Sequence, residues 1–389
     1  MTTVTTSVRQ NIRNGRGAPD NRSGSRRQAV AYGALLSAAE LGPASLPQPR
    51  GTLSAYLVDV LRGPVRALGE APEPDDDALS GEDGPLALYC LYELHYRGFA
   101  GVADEWEWEP SLLRVRRGLE EDLRFRLRRA GEAMSLPALP DSPGGRAAAD
   151  AVAADGQEDT AGWVAEMLRD LVGMPSGPSL SAFLADHGTL DHLREFAVHR
   201  SLLQLKEADP HSWAIPRLTG AAKAALVEIQ ADEYGEGVER DMHQTLFGLT
   251  MRALGLNPAY GAYLDQVPGT TLATVTVPSY FGLHRAHRAA LVGHLAVFEM
   301  TSVGPMSAYS AALRRHGLPP AARLFFDTHV VADAHHQTVA ADSLAAGLVR
   351  AEPHLADDLL FGARAAMAVE GHASAHILGA WESGRSSLR

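Results

Sequence analysis

Residues 328–337, THVVADAHHQ, place three metal-binding side chains on one face of a predicted helix. An α-helix turns about 100° per residue, so Asp333 lies about 40° from His329, and His336 about 20° from His329 on the other side. Imidazole and carboxylate groups are the ligands that iron takes in helical bundles. The stretch therefore predicts part of a metal site; the alternative is a polar helix face satisfied by hydrogen bonds. His335 lies on the opposite side and is predicted to face solvent.

An apolar segment at 291–298 leads into a second candidate ligand, Glu299. A carboxylate at the end of so apolar a helix is costly to bury unless it is paired or bound to a metal. Glu299 is therefore predicted to contribute to the same site, with a salt bridge between helices as the alternative.

A third candidate region is the segment 229–243, IQADEYGEGVERDMH. Glu239 and His243 are four residues apart and share a helix face directly. Glu233 is ten residues from His243, which on a straight helix is about 15 Å and about 80° of rotation. The two glycines at 235–237 interrupt the helix there and can fold Glu233 towards His243. Geometry alone favours Glu239 and leaves Glu233 open.

Outside these segments, the chain is helical in pattern. Apolar residues recur at helical spacing, Ala, Leu and Arg are abundant, and aromatic residues are only 6% of the chain. Gly and Pro separate the helical patterns, and there is no alternating pattern typical of strands. The fold class predicted is all-α, a helical bundle. The main helices are predicted at 163–174, 178–187, 189–206, 215–233, 238–254, 280–302, 306–316, 321–348 and 353–383.

The 389 residues fit about two domains. Residues 1–45 are polar and Arg-rich at the start, and are predicted to be a disordered tail and lead-in. Residues 46–135 are predicted to form a helical accessory region, and 136–162, rich in Pro, Gly, Ala and Asp, a linker. The remainder, 163–389, carries the candidate ligands.

Composition excludes several classes of function. The net charge is -12, so the protein has no overall attraction for nucleic acid. Cys90 is the only cysteine, which excludes an intrachain disulfide and a thiolate metal cage. No run of 18 or more apolar residues and no signal peptide are present, so we expect no membrane partner and a cytoplasmic location.

The ordered candidates resemble the ligand set of the haem-oxygenase-like diiron oxidases and oxygenases, whose core helices supply a Glu and a His, a second Glu, and a His-x3-Asp-x2-His triad. The resemblance covers about residues 165–375. It favours Glu233 over Glu239. Glu207, in QLKEADPH, is similar in position to an additional glutamate ligand of N-oxygenating members. The segment 87–99, ALYCLYELHYRGF, resembles an actinobacterial group of iron-containing redox enzymes. The ligands implied are Glu207, Glu233, His243, Glu299, His329, Asp333 and His336.

The resemblance implies a haem-oxygenase-like bundle with two Fe(II) ions as cofactor and O2 as co-substrate. It implies an oxidoreductase of specialised metabolism that takes electrons from an external donor and forms a homodimer. The spacing is most similar to members that N-oxygenate an amino-acid-like amine or guanidine. Oxidative C–C cleavage or decarboxylation of a fatty or amino acid is one alternative, and a non-catalytic metal-binding module is another.

Arg288 is a candidate for substrate binding. It lies eleven residues before Glu299 on nearly the same helix face, and a guanidinium can hold a carboxylate through two hydrogen bonds. A surface or interdomain salt bridge is the alternative role.

Overall fold

The helices expected from the apolar spacing are present in a computed structural model that describes residues 35–133, 154–174 and 179–389. No strand occurs among these residues, in which the β structure is an isolated parallel bridge between Ala44 and Phe99. The all-α prediction is therefore confirmed. The main helices are α1 Thr52–Leu61, α2 Asp83–Glu93, α3 Pro110–Ala133, α4 Ala154–Gly173, α5 Leu180–Asp186, α6 Leu190–Gln204, α7 Gly220–Glu233, α8 His243–Ala253, α9 Gly269–Leu283, α10 Arg288–Thr301, α11 Val303–Arg315, α12 Leu324–Thr338, α13 Ala346–Ala351 and α14 Ala356–Glu382.

Short helical segments connect these helices. Single α-helical turns lie at Ala38–Leu41 and Asp209–Ser212, and a π-helical segment, Val339–Ala345, joins α12 to α13. The 3-10 turns are Asp104–Trp108, Ile215–Arg217, Gly235–Gly237, Glu239–Asp241, Arg285–His287, Pro320–Arg323 and Pro353–Leu355.

One predicted helix has the wrong bounds, and one helix was not predicted. The helix expected at 280–302 is two helices, because the chain breaks at Arg285–His287 between α9 and α10. Helix α9 itself was not predicted, since its sequence TTLATVTVPSY is rich in β-branched residues and contains Pro278, both of which lower helix propensity. Burial of nearly all of α9 in the core outweighs this preference.

Helices α10 and α14 cross at very close range near the centre of the bundle. A Cβ atom on Gly293 would lie 1.9 Å from the carbonyl oxygen of Leu359, and one on Gly362 would lie 1.9 Å from that of Ala290. Only glycine fits at these two crossing positions, and the close contact fixes α10, which carries Glu299, against α14.

The N-terminal helices pack on the remainder of the described chain. Leu57 of α1, Leu91 of α2 and Leu123 of α3 belong to the same buried cluster as Leu295 of α10 and Leu359 of α14. Helix α4 begins inside the segment 136–162 predicted as a linker, and residues 136–153 of that segment lie outside the described residues. So do residues 1–34 of the predicted tail. The division into domains stays a prediction.

Among the described residues, no single helix has the length and apolar content needed to cross a membrane. One pair of helices, Arg285–Thr301 with Val303–Arg315, meets those criteria jointly but is bent by 50° at its break.

Candidate metal centre

Helix α12 directs its three candidate ligands into the protein. His329, Asp333 and His336 are all buried and share the face that packs towards α8 and α10. His335 lies on the opposite face, where its side chain is 63% exposed and its Nε2 atom is 3.1 Å from Glu228. The prediction that His335 faces solvent is confirmed.

The glycine-containing segment between α7 and α8 brings Glu233 to His243. Gly235, Glu236 and Gly237 all have positive φ, at 60°, 52° and 80°, so the helix ends and the chain reverses. As a result Oε2 of Glu233 lies 2.8 Å from Nδ1 of His243. Glu239 is exposed. The structure therefore places Glu233 beside His243 and leaves Glu239 outside the cluster.

The first of two ligand groups contains Glu207, Glu233, His243 and His329. Each offers one nitrogen or oxygen atom, and these atoms lie within 4.8 Å of one another. Oε1 of Glu207 is 3.6 Å from Nε2 of His329, and its Oε2 is 4.0 Å from Nδ1 of His243. Glu207 follows the end of α6, so four separate segments of the chain meet here.

The second group contains Glu233, Glu299 and His336, again with ligand atoms within 4.8 Å of one another. Nδ1 of His336 is 3.3 Å from Glu299 and 3.6 Å from Oδ1 of Asp333, which brings Asp333 to the edge of this group. Glu233 belongs to both groups. A carboxylate has two oxygens, so one glutamate can serve two adjacent metal ions.

The donor atoms fit a metal pair. Buried polar atoms normally have hydrogen-bond partners. Five atoms of the candidate ligands are buried and form no hydrogen bond of normal geometry, although Glu233 Oε2 and His243 Nδ1 lie close together. They are Glu207 Oε2, Glu233 Oε2, His243 Nδ1, Asp333 Oδ1 and His336 Nδ1. Imidazole nitrogen and carboxylate oxygen together suit iron, and the described residues supply no thiolate here.

Two histidines are oriented by hydrogen bonds from their other ring nitrogen. Nδ1 of His329 donates to the carbonyl oxygen of Phe325 at 2.8 Å, which leaves Nε2 as the acceptor atom facing Glu207. Nε2 of His336 donates to Asp232 at 2.9 Å, which leaves Nδ1 facing the cluster. Such partners fix the tautomer and ring orientation of metal ligands. The sequence analysis did not identify Asp232 as a residue that orients a ligand. Its position next to the candidate ligand Glu233 was the feature that could have indicated this.

Burial and mutual repulsion perturb the carboxylates. Burial, with the charges of Asp333 and Glu233, raises the pKa of Glu299 to about 8. Burial raises the pKa of Glu233 to about 7 against the opposing charge of His329. Burial lowers the pKa of His336, but the nearby carboxylates of Asp232, Asp333 and Glu299 outweigh it and raise that pKa to about 12. Divalent cations would stabilise this concentration of buried carboxylates in their charged form.

A cavity of about 490 Å³ adjoins the cluster. Its wall includes the candidate ligands Glu207, Glu233, Glu299, His329 and Asp333, together with Arg200, Gln204, Gln230 and Glu370. This volume can hold a small molecule beside the proposed metal ligands.

The prediction that Arg288 binds substrate is not supported. Arg288 does not line the cavity; its guanidinium pairs with Glu352, as the salt-bridge alternative expected. Spacing put Arg288 on nearly the same face as Glu299, but eleven residues of α-helix span about 16 Å, which takes it beyond the site.

Comparison with known proteins identifies the class. Residues 194–371, which include all seven candidate ligands, match the family described as iron-containing redox enzyme. Over this segment the match confirms the resemblance to haem-oxygenase-like iron-containing redox enzymes. The chain is also similar to nitrosourea synthase from Streptomyces achromogenes subsp. streptozoticus, at 27% identity over 163 residues. That alignment covers 41% of this chain and only 35% of the relative.

Proposed function

We propose that this chain is a non-haem diiron oxygenase that uses O2 to oxidise an amino-acid-like amine or guanidine by N-oxygenation. The observation that carries the proposal is Glu233, whose carboxylate belongs to both ligand groups. Two groups that share a glutamate are suited to a pair of metal ions. The match of this segment to an iron-containing redox family supports iron as the metal.

The residues divide naturally between two ions. In this proposal Glu207, His243 and His329 would hold one iron, Glu299, Asp333 and His336 would hold the other, and Glu233, which belongs to both groups, would serve both. When bound, two ferrous ions and the external donor would supply the electrons that reduce dioxygen, and the reduced oxygen would then oxidise the substrate nitrogen.

The chain contributes orientation and exclusion of water. The carbonyl of Phe325 and the carboxylate of Asp232 hold His329 and His336 with one nitrogen directed inward. Ser302 donates a hydrogen bond of 2.5 Å to Oδ2 of Asp333 and so directs Oδ1 towards His336. Because these groups are buried, the substrate nitrogen would react away from bulk solvent.

Oxidation at nitrogen is favoured over cleavage of a fatty acid by the polar groups of the cavity wall. The Oε1 atoms of Gln204 and Gln230 are buried without a hydrogen-bond partner, and a long apolar chain would leave them so. The relative is named for making a nitrosourea, a compound with an oxidised nitrogen.

The test is single-turnover chemistry. Protein loaded anaerobically with Fe(II) is mixed with 18O2 and a reductant in the presence of amines, guanidines or fatty acids, and the products are analysed by mass spectrometry. We expect 18O bound to a substrate nitrogen, and none with Glu233→Ala. A product shortened by loss of carbon would instead support C–C cleavage, and no product from protein that holds two irons would support a metal-binding module.

We also propose an external electron donor, a cytoplasmic location and a homodimer. Light scattering of the full chain tests the last of these, and a mass near the monomer value of 41.5 kDa would contradict it.

A further inference from the structure

Three polar residues of α6 and the turn after it form one wall of the cavity. Arg200 and Gln204 are four residues apart and so lie on the same side of α6, and Glu207 lies in the turn that directly follows. All three line the cavity. At the helical rise of about 1.5 Å per residue, the seven residues from Arg200 through this turn advance about 10 Å, which separates Arg200 from the proposed iron ligand Glu207.

Arg200 forms an ion pair with Glu370 at the far end of this wall. The two Nη atoms donate to the two carboxylate oxygens at 3.1 Å and 2.7 Å. Both side chains line the cavity and stay partly exposed, at 19% and 25%. A guanidinium has five N–H donors and a carboxylate about four acceptor positions, so each partner keeps capacity for a ligand.

Two glutamines of the cavity wall present unpaired acceptors. Gln204 and Gln230 are buried, and the Oε1 atom of each lacks a hydrogen-bond partner. Nε2 of Gln230 donates to the carbonyl oxygen of Ala208 at 2.9 Å, which fixes the orientation of this amide. Gln230 lies one helical turn before Glu233. Since a buried unpaired acceptor is costly, these two oxygens are suited to a ligand group rich in N–H donors.

We infer that the cavity binds a basic α-amino acid, with its carboxylate on Arg200, its α-ammonium group on Glu370, and its distal nitrogen between the two glutamines and the proposed iron ligands. This inference rests on the proposed function, because it places the nitrogen to be oxidised beside Glu207 and Glu233. An extended lysine or arginine side chain spans most of the distance along this wall. A fatty acid satisfies Arg200 alone.

Calorimetric titration tests the inference without turnover. Full-length protein, metal-free and loaded anaerobically with Fe(II), is titrated with lysine, arginine and their decarboxylated analogues cadaverine and agmatine. We expect each amino acid to bind at least ten-fold more tightly than its analogue, because only the amino acid reaches Arg200 with a carboxylate. Hexanoate, which has no nitrogen, is expected to bind more weakly than lysine.

The decisive variant is the double substitution Arg200→Gln with Glu370→Gln. It removes both charges together, so neither partner is left unpaired in the fold. The preference for the amino acid over its analogue should fall to less than two-fold, while Arg288→Gln, which alters an arginine outside the cavity, should keep it.

Equal binding of lysine and cadaverine, tight binding of hexanoate, no binding of any of the four basic probes, or an unchanged preference in the double variant would overturn the inference. The same measurements distinguish a failure of this inference from a failure of the proposed function. A chain that holds two irons without this preference refutes the inference alone, and a chain that shows the preference but holds fewer than two irons refutes the proposed function.

Discussion

Lys206 and Glu93 form a buried ion pair that joins the N-terminal helices to the candidate metal centre. Nζ of Lys206 lies 2.9 Å from Glu93, and the two side chains are only 1% and 0% exposed. The hydroxyl of Tyr260 also donates to Glu93, at 2.7 Å to one oxygen and 2.8 Å to the other. Because Glu207 follows Lys206, a change in this pair also disturbs a proposed ligand.

Glu93→Gln tests the contribution of the pair. The substitution leaves the ammonium group of Lys206 buried without a counter-charge, and breaking a buried pair in this way typically costs about 3–5 kcal/mol. Two charge-assisted hydrogen bonds, from Lys206 and Tyr260, at about 1.5–3 kcal/mol each give a similar total. That is a large part of the roughly 5–15 kcal/mol by which proteins are stable.

Urea unfolding of the full chain measures this cost. A double variant, Glu93→Gln with Lys206→Met, removes both charges and should recover most of the lost stability. Glu121→Gln is the matched control, because it breaks an exposed pair with Arg117 whose side chains are 69% and 80% exposed. We expect that control to cost about 0.5 kcal/mol or less. A cost below about 1 kcal/mol for Glu93→Gln would refute the reasoning.

Three further predictions concern the metal site. Asp232→Asn should weaken iron binding by about 10-fold to 100-fold with little loss of stability, because it removes the carboxylate that orients His336. An unchanged affinity in an iron titration would show that Asp232 does not orient His336 for metal binding. Gly235→Ala should be much more destabilising than Gly237→Ala, because its Cβ would lie 2.5 Å from the carbonyl carbon of Asp241, whereas nothing lies within 4 Å of a Cβ at Gly237. In urea unfolding we expect Gly237→Ala to lower the free energy of unfolding by about 1–2 kcal/mol, and an equal loss for the two variants would contradict this. Glu239→Ala should bind iron as the unaltered protein does and Glu233→Ala should not, and the reverse result by metal analysis would make Glu239 the ligand.

Much of the site could be predicted because helical spacing is regular. His329, Asp333 and His336 lie on one helix, so their shared face follows from 100° per residue, and the structure buries all three. The position of Glu233 could not be derived in this way. It depends on three successive positive φ values at 235–237, and a glycine pair permits such a break without specifying its direction.

Contacts between distant segments could not be predicted from the sequence. Arg200 and Glu370 are 170 residues apart, and no local pattern joins them. The same limit explains why Arg288 was proposed to bind substrate. Its helix face could be predicted from spacing, but its ion pair with Glu352 and its position outside the cavity could not. Helix α9 was missed for a related reason, since its burial, rather than its own β-branched sequence, stabilises it.

The central claim is that one chain holds two irons that share Glu233. Anaerobic titration with Fe(II), followed by metal analysis of the desalted protein, tests it most directly. We predict saturation close to two Fe(II) per chain, with Asp333→Ala retaining fewer. Saturation at one iron, with Asp333→Ala indistinguishable from the unaltered protein, would contradict the account.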